Sequence, residues 1–340
     1  MAESVAAPDS LNPAPRVAVI VPAYGVAHLL GEALASVQAQ SFADWECVVI
    51  DDGAPDDVAG AVAPFLSDPR IRFLKTDNGG VSLARNRAIA SCTAPLLTLL
   101  DGDDLLRPDY LATMVPLMEA DAGITIATCN ARIFGAVADE RCCFARPQPE
   151  GTLRNALDRS FGIYIGSTFR RADWNRVGGF DSAFGVCEDF EMWVRLLMRG
   201  GRAHYVDRVL GDYRVRAGSA SADAGRMLLG NLKVYEKTAR ALPQQAPEQA
   251  LLAELIATTR EAIAFEHAID RVVDGDTRGG LADLARLRQR VAGPVWRASF
   301  ALWRIAPALA RPMLRWRRHR HSRGYEPTGL ARLLTKRTAA

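Results

Sequence analysis

Residues 16–24 read RVAVIVPAY, residues 45–53 read WECVVIDDG, and residues 96–104 read LLTLLDGDD. Each stretch begins as a short run rich in Val, Ile or Leu and then changes to Pro, Gly or Asp. Short apolar runs without strict alternation are typical of parallel strands that are buried on both faces. The three stretches therefore predict strands of a parallel sheet, each followed directly by a loop.

The intervals between these runs contain apolar residues at helical spacing, such as Leu30, Leu34 and Val37. Strands that alternate with helices indicate a parallel α/β arrangement with crossover helices. The first 120 residues or so therefore predict an α/β half-domain. We predict strands over residues 16–21, 45–50, 71–74 and 96–100, and helices over residues 28–40 and 81–92.

The pattern becomes less regular beyond residue 120, and strands disappear beyond Gly225. The middle region predicts strands at 124–128 and near 163–169, a loop near 135–151 and a helix at 188–198. The last part predicts amphipathic helices at 227–240, 248–274 and 281–291.

Composition excludes several classes of protein. With 340 residues, 49% of them hydrophobic and 24% charged, the chain can bury a full core. Its apolar runs are shorter than the roughly 18 residues of a membrane span, which excludes a polytopic transporter. The first ten residues, MAESVAAPDS, lack the basic and apolar segments of a secretory signal, so we expect a cytoplasmic location. The six cysteines show neither zinc-ligand spacing nor a disulfide framework.

Acidic side chains follow two of the predicted strands. Asp51 and Asp52 come after the second strand, and Asp101, Asp103 and Asp104 come after the fourth. The carboxyl ends of parallel strands share one edge of a sheet, where open α/β sheets bind ligands. Five carboxylates there repel one another unless a cation lies among them, and oxygen ligands favour Mg²⁺ or Mn²⁺. Because such ions bridge carboxylates to phosphates, the pattern indicates a nucleotide diphosphate ligand. The chain has no Gly-x-Gly-x-x-Gly or Walker-type motif, which disfavours dinucleotide redox enzymes and P-loop enzymes.

Five segments, in this order, carry a resemblance to a known family. They are VIVPAYG (19–25), VVIDDGAPDD (48–57), GGVSLARNRAI (79–89), LLDGDDLLRPDYL (99–111) and GGFDSAFGVCEDFEMWVRL (178–196). Together they resemble the family 2 glycosyltransferases, inverting enzymes that transfer sugars from nucleotide donors. The resemblance covers about residues 16–221. It implies an α/β protein of the GT-A fold, a single Rossmann-like mixed sheet flanked by helices, here with an α-helical C-terminal extension.

The resemblance also implies roles on the donor side. It assigns donor binding to Pro22, Tyr24, Asp52, Arg85 and Asn86. In the Asp-x-Asp motif, Asp101 would contact the ribose or a metal-bound water, and Asp103 would ligate the Mn²⁺ or Mg²⁺ that bridges both phosphates. UDP is the commonest donor nucleotide in the family.

On the acceptor side, the resemblance implies that Asp189, in the Glu188-Asp189 pair, is the catalytic base. Gly179, Phe180 and Asp181 match a loop near the acceptor, which would be a saccharide or a lipid-linked saccharide. Sugar transfer passes through an oxocarbenium-like state, so the enzyme must stabilise a leaving group and deprotonate a hydroxyl. One carboxylate is sufficient for direct displacement with inversion. Bacterial polysaccharide or glycolipid assembly is the expected setting.

Structural roles are open for the same residues. Asp and Gly between a strand and a helix are ordinary turn and capping residues, and acids in a first helical turn complement the helix dipole. Glu188, Asp181 and Asn86 each fit a structural role as well as a catalytic one. A non-catalytic nucleotide-sugar-binding or scaffold protein of the same fold is the alternative function.

The chain departs from the family pattern at one position. Many relatives have a Tyr-Arg-x-His-x-x-Ser stretch whose His can complete the metal site, whereas residues 213–219 read YRVRAGS. Arg216 stands where that His is expected. An Arg cannot ligate a metal but can hold a diphosphate through two hydrogen bonds, so donor binding is its expected role.

The C-terminal segment differs from the rest in charge. Residues 295–340 carry a net charge of +10, whereas residues 1–294 carry −7. Trp296, Phe300 and Trp303 fall on one helical face, beside a stripe formed by Arg297, Arg304 and Arg311. A basic cluster follows at Arg315, Arg317, Arg318, Arg320 and Arg323, with Trp316.

This pattern predicts short interfacial helices, broken at Pro307 and Pro312, on an anionic membrane surface. In the alternative, the aromatic stripe packs onto the body of the protein. Nucleic acid is not an expected partner, because the body is acidic and shows no nucleic-acid-binding module. The expected domains are a loose leader (1–15), a donor-binding half (16–120), an acceptor-binding and catalytic half (121–224), a helical extension (225–294) and a basic tail (295–340).

Overall fold

Four parallel strands form one side of the sheet: β1 (Val17–Ala23), β2 (Trp45–Asp52), β3 (Ile71–Thr76) and β4 (Leu96–Leu99). The computed structural model describes residues 15–137, 140–144, 148–216, 223–287 and 294–321. β1 lies between β2 and β4, and Ile20 pairs with Val48 on one side and Leu99 on the other. β1, β2 and β4 are buried on both faces because helices cover them, which is why they read as continuous apolar runs, whereas β3 lies at the edge of the sheet and only its Ile71 is buried.

The other strands make the sheet mixed. They are β5 (Leu105–Leu106), β6 (Ile124–Gly135), β7 (Arg141–Cys142), β8 (Glu150–Gly151), β9 (Thr168–Arg170) and β10 (Arg202–Val215). The order is β3-β2-β1-β4-β9-β6-β10-β5, with β7 beside β6 and β8 beside β10. β9 runs antiparallel to both β4 and β6. The predicted fold, a mixed α/β sheet flanked by helices with a helical C-terminal extension, is confirmed.

The α-helices up to residue 198 lie between these strands along the chain. They are α1 (Ala27–Gln38), α2 (Val58–Val62), α3 (Val81–Ala90), α4 (Tyr110–Ala120), α5 (Leu153–Leu157), α6 (Arg171–Val177) and α7 (Glu188–Met198). α1 buries Leu30, Ala33, Leu34 and Val37, the apolar face that its spacing predicts. α3 begins directly after Gly80, whose φ of +83° is readily adopted only by glycine.

The C-terminal region is helical throughout its described part. It consists of α8 (Ala224–Ala241), α9 (Glu248–Asp274), α10 (Thr277–Arg286), α11 (Pro294–Ile305), a 3₁₀ turn (Pro307–Leu309) and α12 (Ala310–His321). A buried apolar cluster joins α9 to α12, with Phe265, Ile269, Val272, Trp296 and Trp303 among its members. Among the described helices, none combines the length and the apolar character needed to cross a bilayer.

The chain divides into two compact units. The first comprises Met1–Asn130, Ile163–Ser182 and Leu196–Gly211, and the second comprises Ala131–Gly162, Ala183–Arg195 and Asp212–Ala340. The division falls within β6, α7 and β10.

Several predicted elements are wrong in detail. The strand expected near 163–169 is only Thr168–Arg170, because residues 163–167 form a turn in which the Ser167 hydroxyl donates to the Tyr164 carbonyl. The helix expected at 281–291 begins earlier, at Thr277, because Asp276 caps it by accepting a hydrogen bond from the Gly279 amide. The loop near 135–151 contains β7 and β8. Most of the expected leader lies outside the described residues.

The expectation that Trp296, Phe300 and Trp303 face a membrane is also wrong. Trp296 and Trp303 are 4% and 3% exposed, and Phe300 packs against their cluster. They are buried because α9 supplies an apolar partner, Phe265, whose ring contacts Trp296 edge-on. Pro307 ends α11 as predicted, whereas Pro312 lies in the first turn of α12, where proline is tolerated. The side chains of Arg318, Arg320 and Arg323 lie outside the described part of the chain.

Candidate functional site

The Asp101-Gly102-Asp103 segment directly follows Leu100, the residue after the end of β4. The Leu100 amide still donates a hydrogen bond to the Ile20 carbonyl of β1, so the chain remains alongside β1 up to this point. Gly102 is buried against the end of β1. A Cβ atom at this position would lie 3.1 Å from the Pro22 carbonyl oxygen and 3.0 Å from a methyl of Val26. A side chain at the centre of the motif would therefore fit only tightly between the end of β1 and the start of α1.

A buried arginine orients the first carboxylate of this motif. Arg85, on α3, is 1% exposed, and its Nη2 lies 2.7 Å from Asp101 Oδ1. Its guanidinium also lies 5.5 Å from the centre of the Phe180 ring. Asp101 keeps 31% of its side chain exposed, and Asp103 is partly exposed. The structure therefore brings together Arg85 and Asp101, two of the predicted donor-binding residues, at the carboxyl edge of the sheet.

Asp52 holds the turn that precedes α3. Its side chain is buried, with Oδ1 accepting from the Gly79 amide at 2.9 Å and Oδ2 accepting from the Gly80 amide at 2.8 Å. Charge-assisted hydrogen bonds of this kind are roughly twice as strong as neutral ones. Asp52 thus fixes the start of the helix that carries Arg85 and Asn86. This positioning role is independent of whether Asp52 also contacts a donor.

Asp56, which the sequence analysis did not select, holds the loop after β1. Its Oδ1 accepts from the Gly25 amide at 3.0 Å and its Oδ2 from the Ala27 amide at 2.6 Å. This carboxylate fixes the backbone beside Tyr24, whose side chain is 55% exposed next to Pro22. Asp56 lies four residues after Asp52 in the same acidic segment. The sequence therefore shows its charge, but not that it accepts hydrogen bonds from the Gly25 and Ala27 amides.

Asn86 ties α3 to the Gly179-Phe180 loop. Its Nδ2 donates to the Phe180 carbonyl and its Oδ1 accepts from the Phe180 amide, both at 2.8 Å. Gly179 has a φ of +77°, and a Cβ there would lie 2.8 Å from Asn86 Oδ1. Asn86 and Gly179 therefore have a structural role in shaping the loop that leads to Asp181.

The predicted catalytic pair begins α7, in the second unit. Glu188 and Asp189 are both partly exposed in its first turn, and Asp189 Oδ1 accepts from the Phe190 amide at 2.7 Å. Arg216 is also in the second unit, directly after β10, and is partly buried. Asp101, Arg85 and Asp52 belong to the first unit, whereas Glu188, Asp189 and the predicted donor-binding residue Arg216 belong to the second.

A buried ion cluster lies two positions after Asp189 on α7. Glu191 is 1% exposed, and its Oε1 pairs with Arg195 Nε at 2.6 Å and with Lys237 of α8. Leaving a buried charge without its partners is strongly destabilising, so this cluster fixes α7 onto α8. The sequence analysis did not select Glu191, because an acid in a first helical turn has no distinguishing pattern.

Cys187 precedes the catalytic pair in a left-handed backbone conformation, with φ of +58°. Burial, helped by the negative charges of Asp189 and Glu188, raises the pKa of this thiol to about 12. Its sulfur therefore remains protonated at neutral pH and does not act as a nucleophile. Phe190, three residues after Cys187, packs edge-on against Tyr235 and lies under the Arg159 guanidinium.

Metal binding would depend on more than protein side chains. Within the described residues, no group of three or more His, Cys, Asp and Glu side chains is arranged to hold a metal ion. Mg²⁺ sites commonly use one or two carboxylates together with substrate phosphates. Asp101 and Asp103 fit that kind of site, in which a nucleotide diphosphate completes the shell.

Comparison with known proteins shows what the chain is similar to. Residues 18–175 match the family model of glycosyl transferase family 2. The chain is 32% identical over 227 residues to the succinoglycan biosynthesis protein ExoO of Rhizobium meliloti, covering 63% of this chain and 65% of that protein. It is 24% identical over 208 residues to the chondroitin synthase of Escherichia coli, covering 57% of this chain and 28% of that protein. The chain thus spans less than two thirds of the length of either relative.

Two solved structures share the fold. The Staphylococcus aureus TarS 1-349 structure in complex with UDP-GlcNAc has a TM-score of 0.63 at 17% identity, covering 91% of this chain and 88% of that one. The mannosyltransferase PcManGT from Pyrobaculum calidifontis, in complex with GDP-Man and Mn²⁺, has a TM-score of 0.60 at 22% identity, covering 92% of this chain and 85% of that one. The fold that the resemblance implied is therefore confirmed. Over residues 18–175, the chain is thus similar to glycosyl transferase family 2.

Proposed function

We propose that this chain is an inverting glycosyltransferase that moves a sugar from a nucleotide diphosphate donor to a hydroxyl of a saccharide or lipid-linked saccharide. The observation that carries the proposal is the Asp101-Gly102-Asp103 segment, held at the carboxyl edge of parallel strands by Arg85. This edge is where open α/β sheets bind nucleotides. The family match and the relative named for succinoglycan biosynthesis support transfer to a polysaccharide or its precursor.

On the donor side, we assign the diphosphate to Asp101, Asp103 and Arg216. Asp101 and Asp103 would hold Mn²⁺ or Mg²⁺, and Arg85 keeps Asp101 in position for that task. When bound, the cation would offset the charge that develops on the leaving diphosphate. Arg216 would hold the phosphates through its fork of N–H donors. Pro22 and Tyr24 would contact the base, with Asp52 close to the ribose or base.

On the acceptor side, we assign the base to Asp189. The acceptor oxygen forms a bond to the anomeric carbon while the bond from that carbon to the diphosphate oxygen breaks. The hydroxyl proton passes to the Asp189 carboxylate, and the bonding electron pair leaves with the nucleotide diphosphate. One displacement of this kind inverts the anomeric centre, and no nucleophilic carboxylate is required. Glu188 and the loop at Gly179, Phe180 and Asp181 would line the acceptor.

A donor panel tests the proposal. Purified chain is incubated with UDP-sugars and GDP-sugars, with and without Mn²⁺, and release of the nucleoside diphosphate is measured. We expect slow hydrolysis of at least one donor, because transferases leak some sugar to water. A non-catalytic binding protein of the same fold would bind a donor and release no product, and that result would overturn the proposal.

A further inference from the structure

The second unit exposes an apolar surface that its own core does not use. α11 buries one face, through Trp296 and Trp303, and exposes the opposite one. On that opposite face Ile305 is 87% exposed and Leu302 is 39% exposed, and Leu309 in the following 3₁₀ turn is 45% exposed. We call Leu302, Ile305 and Leu309 the apolar face. Exposed apolar patches rimmed by polar or charged residues are typical of interaction sites.

Arginines flank this surface, and no acid accompanies them. Residues 294–321 contain seven Arg and neither Asp nor Glu. Arg297 and Arg304 are exposed along one edge of α11, and Arg315 is exposed on α12. Among the residues that the structure describes, none of these three guanidinium groups forms an ion pair with a carboxylate. The charge therefore favours an anionic partner.

A cavity lies between the same two helices. It has a volume of about 400 Å³ and is lined by the three indole rings of Trp296, Trp303 and Trp316, together with Met313. Trp316 is 46% exposed, so this wall of the cavity reaches the surface. Arg317 also lines the cavity and pairs with Glu266 of α9. The cavity therefore belongs to the buried side of α11 and is separate from the apolar face.

We propose that the apolar face docks on an anionic lipid bilayer, with Arg297, Arg304 and Arg315 against the headgroups. An interfacial helix of this kind combines a hydrophobic side with Arg-rich flanks. A bilayer is favoured over a protein partner because residues 294–321 carry arginines but no acid that would pair with a partner's basic residues. This inference does not depend on the proposed function.

The proposal differs from the expectation drawn from the sequence. The sequence placed Trp296, Phe300 and Trp303 in the membrane, whereas these residues form the core under the docking helix. The residues now assigned to the bilayer are on the other side of α11. Substitutions there change exposed side chains, so they test docking without removing the core.

The test is sedimentation of the full chain with vesicles. We compare vesicles of phosphatidylcholine with vesicles that also contain phosphatidylglycerol, at low and at high salt. We expect binding to the anionic vesicles at low salt and a marked loss at high salt. The double variant Arg304→Glu/Ile305→Glu should lose at least about tenfold in vesicle affinity, since it removes both an arginine and an exposed apolar side chain.

The matched control is Arg226→Glu/Leu229→Glu on α8, which makes the same change of charge at an exposed arginine and at a leucine that is 50% exposed. It should bind within about twofold of the native chain, because α8 is not part of the docking surface. Equal loss in both double variants, or unchanged binding of the α11 variant, would overturn the proposal. So would a full chain that binds no vesicle, which would leave a protein as the partner of this face.

Discussion

Asp101 and Asp103 stand two positions apart but meet different surroundings. Asp101 is paired with the buried Arg85 guanidinium at 2.7 Å, so part of its charge is already compensated. Asp103 follows Gly102 and is partly exposed. We therefore expect the two carboxylates to contribute unequally to donor binding, with Asp103 as the direct ligand of a divalent cation and Asp101 as the oriented companion.

The first prediction concerns these two residues. Asp103→Ala should abolish the Mn²⁺-dependent part of nucleotide diphosphate binding, and Asp101→Asn should weaken it less, because an amide oxygen can still accept from Arg85. Calorimetric titration of UDP and GDP, with and without Mn²⁺, measures both effects. Asp207→Ala, at an exposed carboxylate on β10, is the control and should bind like the native chain. Unchanged affinity in Asp103→Ala would remove it from the metal site.

Gly102 gives a second prediction at this scale. A methyl group there would lie 3.1 Å from the Pro22 carbonyl oxygen, so Gly102→Ala must displace either the strand end or the Asp101-Asp103 backbone. Overpacking of this kind costs about 1–3 kcal/mol of stability. We expect a lower urea midpoint together with weaker donor binding. Gly185→Ala, where the added methyl meets nothing within 4 Å, should change neither quantity; an equal loss there would contradict the steric explanation.

At the scale of elements, α3 connects two parts of the first unit. It presents Arg85 to the Asp101 loop and Asn86 to the Phe180 backbone, and Asp52 fixes its start. Neighbouring residues of one helix thus position both the expected donor side and the loop before Asp181. The turn at Gly79 and Gly80 is part of this arrangement, since both of its amides donate hydrogen bonds to the Asp52 carboxylate.

The third prediction follows from the Asn86 hydrogen bonds. Asn86→Ala removes both bonds to Phe180, and losing a side-chain hydrogen bond to a partly buried backbone group costs about 1 kcal/mol for each bond. Hydrogen exchange should therefore become faster at the Phe180 amide and in the surrounding loop, while β1 and β2 remain protected. Asn175→Ala, at an exposed position of α6, is the control. If exchange in the loop is unchanged in Asn86→Ala, the two bonds do not hold it.

Local patterns predicted the parallel half of the sheet and the long helices, because burial on both faces and helical spacing are visible within one segment. Trp45–Asp52, Glu188–Met198 and Glu248–Asp274 lie where the sequence indicates. β10 was not predicted, because Arg202–Val215 contains charged residues and Gly211, and it is stabilised by pairing with distant strands. The burial of Trp296 could not be predicted either, since its partner Phe265 is on another helix.

Only part of the candidate site could be predicted from the sequence. The strand-end position of Asp101 follows from its distance to an apolar run, and the structure places it there. The partners of Asp52, Asn86 and Asp56 could not be predicted, because each depends on how a distant loop folds back. Asn86 and Phe180, for example, are separated by 94 positions. Their roles in the chemistry stay predictions.

At the scale of the whole molecule, pH should alter stability through Asp68. Hydrogen bonds from Arg70 lower the pKa of this carboxyl from 3.8 to about 2. A depressed pKa means that the stabilisation is present above pH 3.8 and is lost as the pH falls towards 2. We predict a lower urea midpoint at pH 3 than at pH 5, and a smaller difference in Asp68→Asn. An equal pH dependence in the variant would show that other carboxylates cause it.

The central claim is that Asp189 deprotonates the group that attacks the sugar, and one comparison tests it most directly. Donor affinity and the rate of nucleoside diphosphate release from the best donor are measured for the native chain, Asp189→Asn, Glu188→Gln and Asp181→Asn. We expect Asp189→Asn to bind the donor nearly as tightly as the native chain but to release product about 100-fold more slowly, the scale expected for loss of a positioned general base. Release at the native rate in Asp189→Asn would show that Asp189 is not the base, and a selective loss in Glu188→Gln or Asp181→Asn would assign the base to that residue instead.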